Sequence, residues 1–390
     1  MSARRVLVVC ALLVLVVAGC DRPGNDEAGR GDGRSTPVEP AWREATLPVP
    51  PGPAGRLVLR DAVSCAGVWF LVGGVVDATG GSRPAAWSST DGSTWLPVPV
   101  AASTFYGRQH VLYAAACAAG RVAALGAKNG GVHGNPRTGT WVRDGDGPLR
   151  EVPAAFELFG GPRAVSVARV AAGAQGWLIA GARADGAAVW TSPDAAGFTL
   201  AEGLPELAGD ARGRTAAYDA VALPVGWLVV GSLLPAGGTA LRPMAWTSVD
   251  GRSWRRAELP VPDGRGRAER VVPRDGGPVA VGAVSDGFAV WWADDGSRWR
   301  QVGGFGAAGA GVLSVVGLAV VGGALVAVTG DGVGRAVWVS TDGGVSWRSV
   351  RVPLPVADGG DTALTVAGGD GRLLLLADDG RGSHAWWGRV

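Results

Sequence analysis

The chain has 390 residues, including 65 glycines, 25 prolines and 17 tryptophans, and its 36 basic and 34 acidic side chains give a formal net charge of +2. So even a balance excludes the basic footprint of a nucleic-acid-binding protein, and no nucleic-acid partner is expected. One lysine, Lys128, stands against 35 arginines, a bias that reads as base composition of the coding sequence more than as chemistry.

At the start of the chain, Arg4 and Arg5 precede an uncharged apolar run, VLVVCALLVLVVAG, the charged and hydrophobic regions of an export signal over residues 1–19. The run is too short to span a bilayer comfortably. Its end, Val17-Ala18-Gly19-Cys20, resembles the bacterial lipobox. That resemblance implies cleavage before Cys20, a palmitate-type lipid on its thiol, and a mature lipoprotein held to the extracytoplasmic face of the cell membrane without a transmembrane helix. Removing Arg4 and Arg5 leaves basic and acidic side chains equal in number. Residues 20–40 are then the lipidated cysteine and a tether rich in glycine, proline and charge, with little to bury. Cys10 leaves with the signal and Cys20 is acylated, so Cys65 and Cys117 remain as a disulfide candidate in a compartment where disulfides persist.

Residues 41–390 carry a repeat. Tryptophans at 87, 141, 190, 246, 291 or 292, 338, and 386 or 387 recur about every 46 to 56 residues, each in a short apolar strand such as AAVWTS or RAVWVS. Behind most comes a turn and a second tryptophan: Trp95, Trp254, Trp299 and Trp347. Earlier strands, such as GWLIAG at 176–181 and SVARVAA at 166–172, complete a unit of four antiparallel strands, here lettered A to D. Seven such units predict an all-β, seven-bladed propeller, because radial packing buries both faces of every sheet and shortens exposed edges. The chain ends in a C strand, AWWGRV, while AWREATLP at 41–48 matches SWRRAELP at 253–260. The last blade is therefore expected to combine residues 362–390 with 41–47, the amino-terminal strand closing the ring. No helical periodicity persists beyond the signal.

The C-to-D turn is Ser-x-Asp-x-Gly-x-x-Trp in Ser340, Asp342, Gly344 and Trp347. It is one residue shorter at Ser89, Asp91, Gly92 and Trp95 and at Ser248, Asp250, Gly251 and Trp254, lacks the serine before Asp295, and decays to SPDAAGF around Asp194. This turn resembles the Asp-box, or BNR repeat, of sialidase-like and assembly-factor-like propellers. The aspartates are expected to be structural, accepting backbone N–H groups within the turn. The resemblance to sialidases does not reach their chemistry: no Arg-Ile-Pro segment occurs, and of three tyrosines, Tyr113 and Tyr218 fall in predicted strands. Assembly-factor propellers, noncatalytic and membrane-associated, imply a docking surface instead.

The longer D-to-A and B-to-C connections share one face, where binding groups are expected. The densest set lies in the second blade: Tyr106, Arg108 and His110, then Lys128, Asn129, His133, Asn135 and Arg137, with Arg163 and Arg214 further round. These suit an anionic or carbohydrate-like ligand, Tyr106 supplying a stacking face. His110, His133 and His384 have no ligand-like spacing, so no metal or cofactor is expected. Glu157, Glu202, Asp210 and Asp263 offer no basis for choosing a hydrolytic pair. The reading is a monomeric envelope lipoprotein whose propeller presents a noncatalytic face to a glycan or protein. The alternatives are a glycoside hydrolase or a structural envelope protein.

Overall fold

The computed structural model of the chain describes residues 36–128, 136–309 and 311–390. Seven antiparallel sheets form a ring, each running from an A strand at the centre to a D strand at the rim. The A strands are Arg56–Cys65, Val111–Ala118, Ala164–Gly173, Gly213–Ala222, Arg270–Val272, Ser314–Val321 and Ala363–Gly369. Each touches the A strand of the next blade, and the seventh touches the first. The B strands are nearly continuous apolar runs, such as Gly176–Arg183, because both of their faces are covered by neighbouring blades.

The closure expected from the sequence is present. Arg43–Ala45 pairs with Ser383–Gly388, joining Ala45 to Ala385, Glu44 to Trp386 and Arg43 to Trp387. A second junction joins blades seven and one near the axis. Asp378, fully buried, accepts a hydrogen bond from Arg56 and another from Arg60, both at 2.7 Å. Three local features were not anticipated. Residues 36–40, assigned to the tether, are paired: Val38 N–H donates to Ser349 and its carbonyl accepts from Arg351 N–H, alongside blade six. Val100–Ala101 adds a parallel fifth strand to blade two. One turn of α-helix, Phe156–Phe159, and a 3-10 turn, Gly107–Gln109, interrupt the long loops. Among the described residues no helix is long and apolar enough to cross a membrane.

One device recurs where a long loop meets its blade. The buried C-strand indoles donate to the loop arriving from the preceding blade: Trp87 to the Pro48 carbonyl at 2.8 Å, Trp190 to Leu158 at 2.6 Å, Trp246 to Glu206 at 2.8 Å and Trp291 to Pro260 at 2.7 Å. A buried indole N–H needs an acceptor, and the loop supplies one while gaining an anchor. Cys65 and Cys117 form a disulfide with their Cα atoms 5.7 Å apart, linking the inner strands of blades one and two.

Candidate functional site

Two places on this scaffold gather chemistry. The first is the rim of blade two. The loop after Val100–Ala101 is wrapped around Glu151, which accepts Ser103 N–H at 2.7 Å, Thr104 N–H at 2.8 Å and the Thr104 hydroxyl at 2.6 Å. Burial pushes the Glu151 carboxyl up, but these hydrogen bonds outweigh burial and hold it below its usual range. Gly107 is needed here, since a Cβ at that position would lie 2.0 Å from a Glu151 oxygen. Held this way, the loop presents Phe105, 65% exposed, and Tyr106, 38% exposed, with ring centroids 5.3 Å apart and nearly perpendicular. The Arg137 guanidinium lies 5.3 Å from the Tyr106 ring centre and 4.4 Å from that of Phe156, itself 51% exposed. Two accessible aromatic rings therefore flank one cation, and a third, Phe105, stands edge-on to Tyr106.

The structure separates the residues that the sequence grouped. Tyr106 and Arg137 meet; Arg108 is exposed beside them. Lys128 reaches the Ser82 hydroxyl at 3.4 Å. His110 is only 2% exposed and turned inward, where its Nδ1 accepts the Trp141 indole N–H at 3.2 Å. It is blade two's version of the loop anchor. A lone pair used in this way requires the neutral ring, and burial lowers its pKa accordingly. Arg163 is exposed and engaged by Asp185 and Glu202. Arg214 is exposed at the start of its inner strand, and neither it nor Arg163 contacts the Tyr106 group. Asn129, His133 and Asn135 lie outside the described residues, as does Cys20. Of the four carboxylates considered for hydrolysis, Glu202 pairs with Arg183 and Asp210 with Arg212, Asp263 accepts the Ser285 hydroxyl at 2.5 Å, and Glu157 is exposed. Among the described residues no cluster of histidine, cysteine and carboxylates could hold a metal ion.

The turn aspartates point into their own turns. Asp91 accepts Ser93 and Thr94 N–H at 2.7 Å each, Asp250 accepts Arg252 and Ser253 at 2.8 Å each, Asp194 accepts Ala196 at 2.9 Å, Asp295 accepts Ser297 at 2.9 Å and Asp342 accepts Ser346 at 3.0 Å.

The second place was not anticipated. A cavity of about 420 Å³ occupies the axis, lined by all seven inner strands. Its lining comes from the halves of those strands that lead into the short A-to-B turns, so it belongs to the side opposite the long loops. Its inner end is a charged tier. Strand register places Asp61, Ala114, Arg169, Asp219, Arg270, Gly317 and Thr365 at one level, opposite Val72, Leu125, Ala180, Val230, Val281, Val328 and Leu376 of the B strands. In five blades a β-bulge immediately precedes this level, skipping Arg60, Tyr113, Ala168, Tyr218 and Val316, and so re-aims the next side chain. Arg169 reaches across Ala114 to Asp61 at 2.9 Å, and Asp61 also accepts Ala115 N–H at 2.9 Å. Asp219 accepts Val271 N–H at 3.2 Å and Ala220 N–H at 2.9 Å. Arg270 donates to the Val316 carbonyl at 3.2 Å and to Glu269 at 2.7 Å. The signal available in the sequence was a charge at one register position of several apolar strands, in RDAV, VARV, YDAV and ERVV.

No family model matches the chain, and no curated protein matches it. Several solved structures superimpose on it in part. The phage phi92 endosialidase superimposes with a TM-score of 0.49 at 10% identity, over 90% of this chain and 69% of that one. The Trypanosoma rangeli sialidase, in complex with the inhibitor DANA, gives 0.44 at 11% identity over 92% of this chain and 58% of its own. A structure from a study of two prolyl endopeptidases gives 0.50 at 12% identity, over 86% of this chain and 50% of that one. The chain thus spans between half and about two thirds of these three. At such identities the likeness is one of fold alone.

Proposed function

We propose that this is a lipid-anchored extracytoplasmic propeller of the Asp-box type, whose long-loop face binds an acidic glycan without turning it over. The observation that carries the reading is the exposed pair Tyr106 and Phe156 on either side of Arg137, with exposed Phe105 against Tyr106. Flat rings on a pinned loop offer stacking faces to sugar rings, and Arg137 with exposed Arg108 offers charge to a carboxylate or sulfate. Of the carboxylates weighed as hydrolytic partners, Glu202 and Asp210 are held in ion pairs and Asp263 by a serine, which leaves only Glu157, beside Phe156, exposed at the cluster. Export and the lipid on Cys20 rest on the amino-terminal sequence.

The test is an array of acidic and neutral oligosaccharides probed with the secreted chain, its Tyr106→Ala and Arg137→Ala variants, and chromatography of bound glycans after incubation. Acidic glycans are retained intact, and each variant binds them about tenfold more weakly, the loss of a cation–π contact of roughly 1–2 kcal/mol. Binding untouched by both variants overturns the site, and accumulation of shortened glycans overturns the noncatalytic reading in favour of a hydrolase. Anchoring is checked separately: Cys20→Ser shifts the protein from the membrane fraction to the soluble one.

A further inference from the structure

We propose that the axial cavity on the short-turn side is a binding site for a small zwitterion with an apolar side chain, of the class of the apolar α-amino acids. It is independent of the glycan site, being on the other side of the charged tier. Three observations carry it.

The first is shape and lining. About 420 Å³ suits a small molecule, and the walls come from Ala116, Val170, Ala171, Val221, Val320 and Val366 among others, with scarcely a hydrogen-bonding side chain. An apolar group placed there meets these aliphatic side chains, while the polar part of the surface takes the charged end of the molecule.

The second is the pattern of charge at the inner end. Asp61 and Arg169 satisfy each other directly. Asp219 and Arg270, on adjacent blades at the same level, share no hydrogen bond: the carboxylate takes backbone N–H groups, and the guanidinium takes backbone carbonyls. Both side chains line the cavity, one acidic and one basic, on neighbouring strands and without a direct bond between them. An ammonium against Asp219 and a carboxylate against Arg270 would complete both. Burial pushes the Asp219 carboxyl up and the Arg270 guanidinium down, and it prevails although Arg270 and Arg169 act on Asp219, and Asp219, Glu269 and Asp61 act on Arg270, in the opposite sense.

The third is that the tier is built. The bulges before Asp61, Arg169 and Asp219 turn these side chains inward, whereas Ala114 at the same level leaves the space that Arg169 crosses to reach Asp61. A channel needing only to be filled would be served by the valines and leucines used elsewhere in the ring.

The experiment is calorimetric titration of the intact secreted chain with L-leucine, with leucinamide, which lacks the carboxylate, and with 4-methylpentanoate, which lacks the ammonium. Leucine binds, and each single-charge analogue binds at least tenfold more weakly. Arg270→Gln abolishes leucine binding, and Asp219→Asn does the same. If these variants fail to fold, Val63→Phe decides, because it fills the cavity wall and leaves all four charges in place; a folded Val63→Phe protein loses leucine binding. No heat with leucine, equal binding by both analogues, or leucine binding retained in folded Val63→Phe overturns the proposal.

Discussion

Asp378 illustrates how much a single side chain can hold. It has no exposure, lies 2.7 Å from both Arg56 and Arg60, and also accepts Gly380 N–H at 2.9 Å. Since both arginines belong to blade one and Asp378 to blade seven, its loss removes the carboxylate from both guanidinium groups at the ring's seam and leaves Arg60 only the Leu59 and Asp361 carbonyls. Asp378→Ala is expected to lower the unfolding free energy by about 3–5 kcal/mol, measured by denaturant titration. Asp250 makes the opposite point, that charge in a turn can be strongly held at the surface. Backbone N–H groups of Ser253 and Arg252 lower its pKa from 3.8 to about 2. A carboxyl whose folded pKa is depressed contributes stability that is fully present above 3.8 and lost as pH falls through about 2. A carbon-detected titration of the Asp250 carboxyl should accordingly show its midpoint near 2, and Asp250→Asn should flatten the decline of melting temperature across that window.

At the scale of elements, two cross-links deserve separate tests because they close different parts of the ring. The Cys65–Cys117 bond spans 52 residues of sequence and staples blade one to blade two at the inner strands. On the loop-entropy argument, a double Cys→Ala variant loses about 4 kcal/mol, and a reductant should destabilise the wild type similarly while leaving that variant unchanged. The amino-terminal strand is the other closure. Deleting residues up to 47 removes Arg43–Ala45 and the Trp42 indole, which donates to the Arg351 carbonyl at 2.8 Å, and bares the edge of Ser383–Gly388. An unpaired edge is a template for association, so the truncated protein should self-associate on size-exclusion chromatography and be cleaved first in blade seven.

For the whole molecule, the ring makes cooperativity depend on closure. Neighbouring blades share their buried faces, so an open array would unfold in steps, whereas a closed one couples every blade to two others. Calorimetry of the intact chain should show one sharp transition, and the amino-terminal truncation a broadened one. The two faces also divide the chemistry: pinned long loops carry the aromatic rim, and the short-turn side holds the axial cavity.

Architecture was legible in the sequence because it is written locally and repeated. A tryptophan in each C strand, an aspartate turn behind most of them, and the match of AWREATLP to SWRRAELP determine strand order, blade number and the closing strand, since each needs only neighbouring residues or a shared phase. The disulfide followed from the same phase, which put Cys65 and Cys117 beside adjacent turns. The sites were less legible. His110 reads as a surface group, yet the Trp141 indole in the C strand of the same blade turns it inward. Tyr106 and Arg137 meet through folding of a loop around Glu151, a residue 45 positions from Tyr106 in the chain that sequence gave no reason to single out. Asp61, Arg169, Asp219 and Arg270 are each unremarkable in their own strand; only the ring brings four blades to one axis and makes them a single charged tier. Local interactions repeat and can be read one blade at a time, while a site at the axis exists only once seven blades have closed around it.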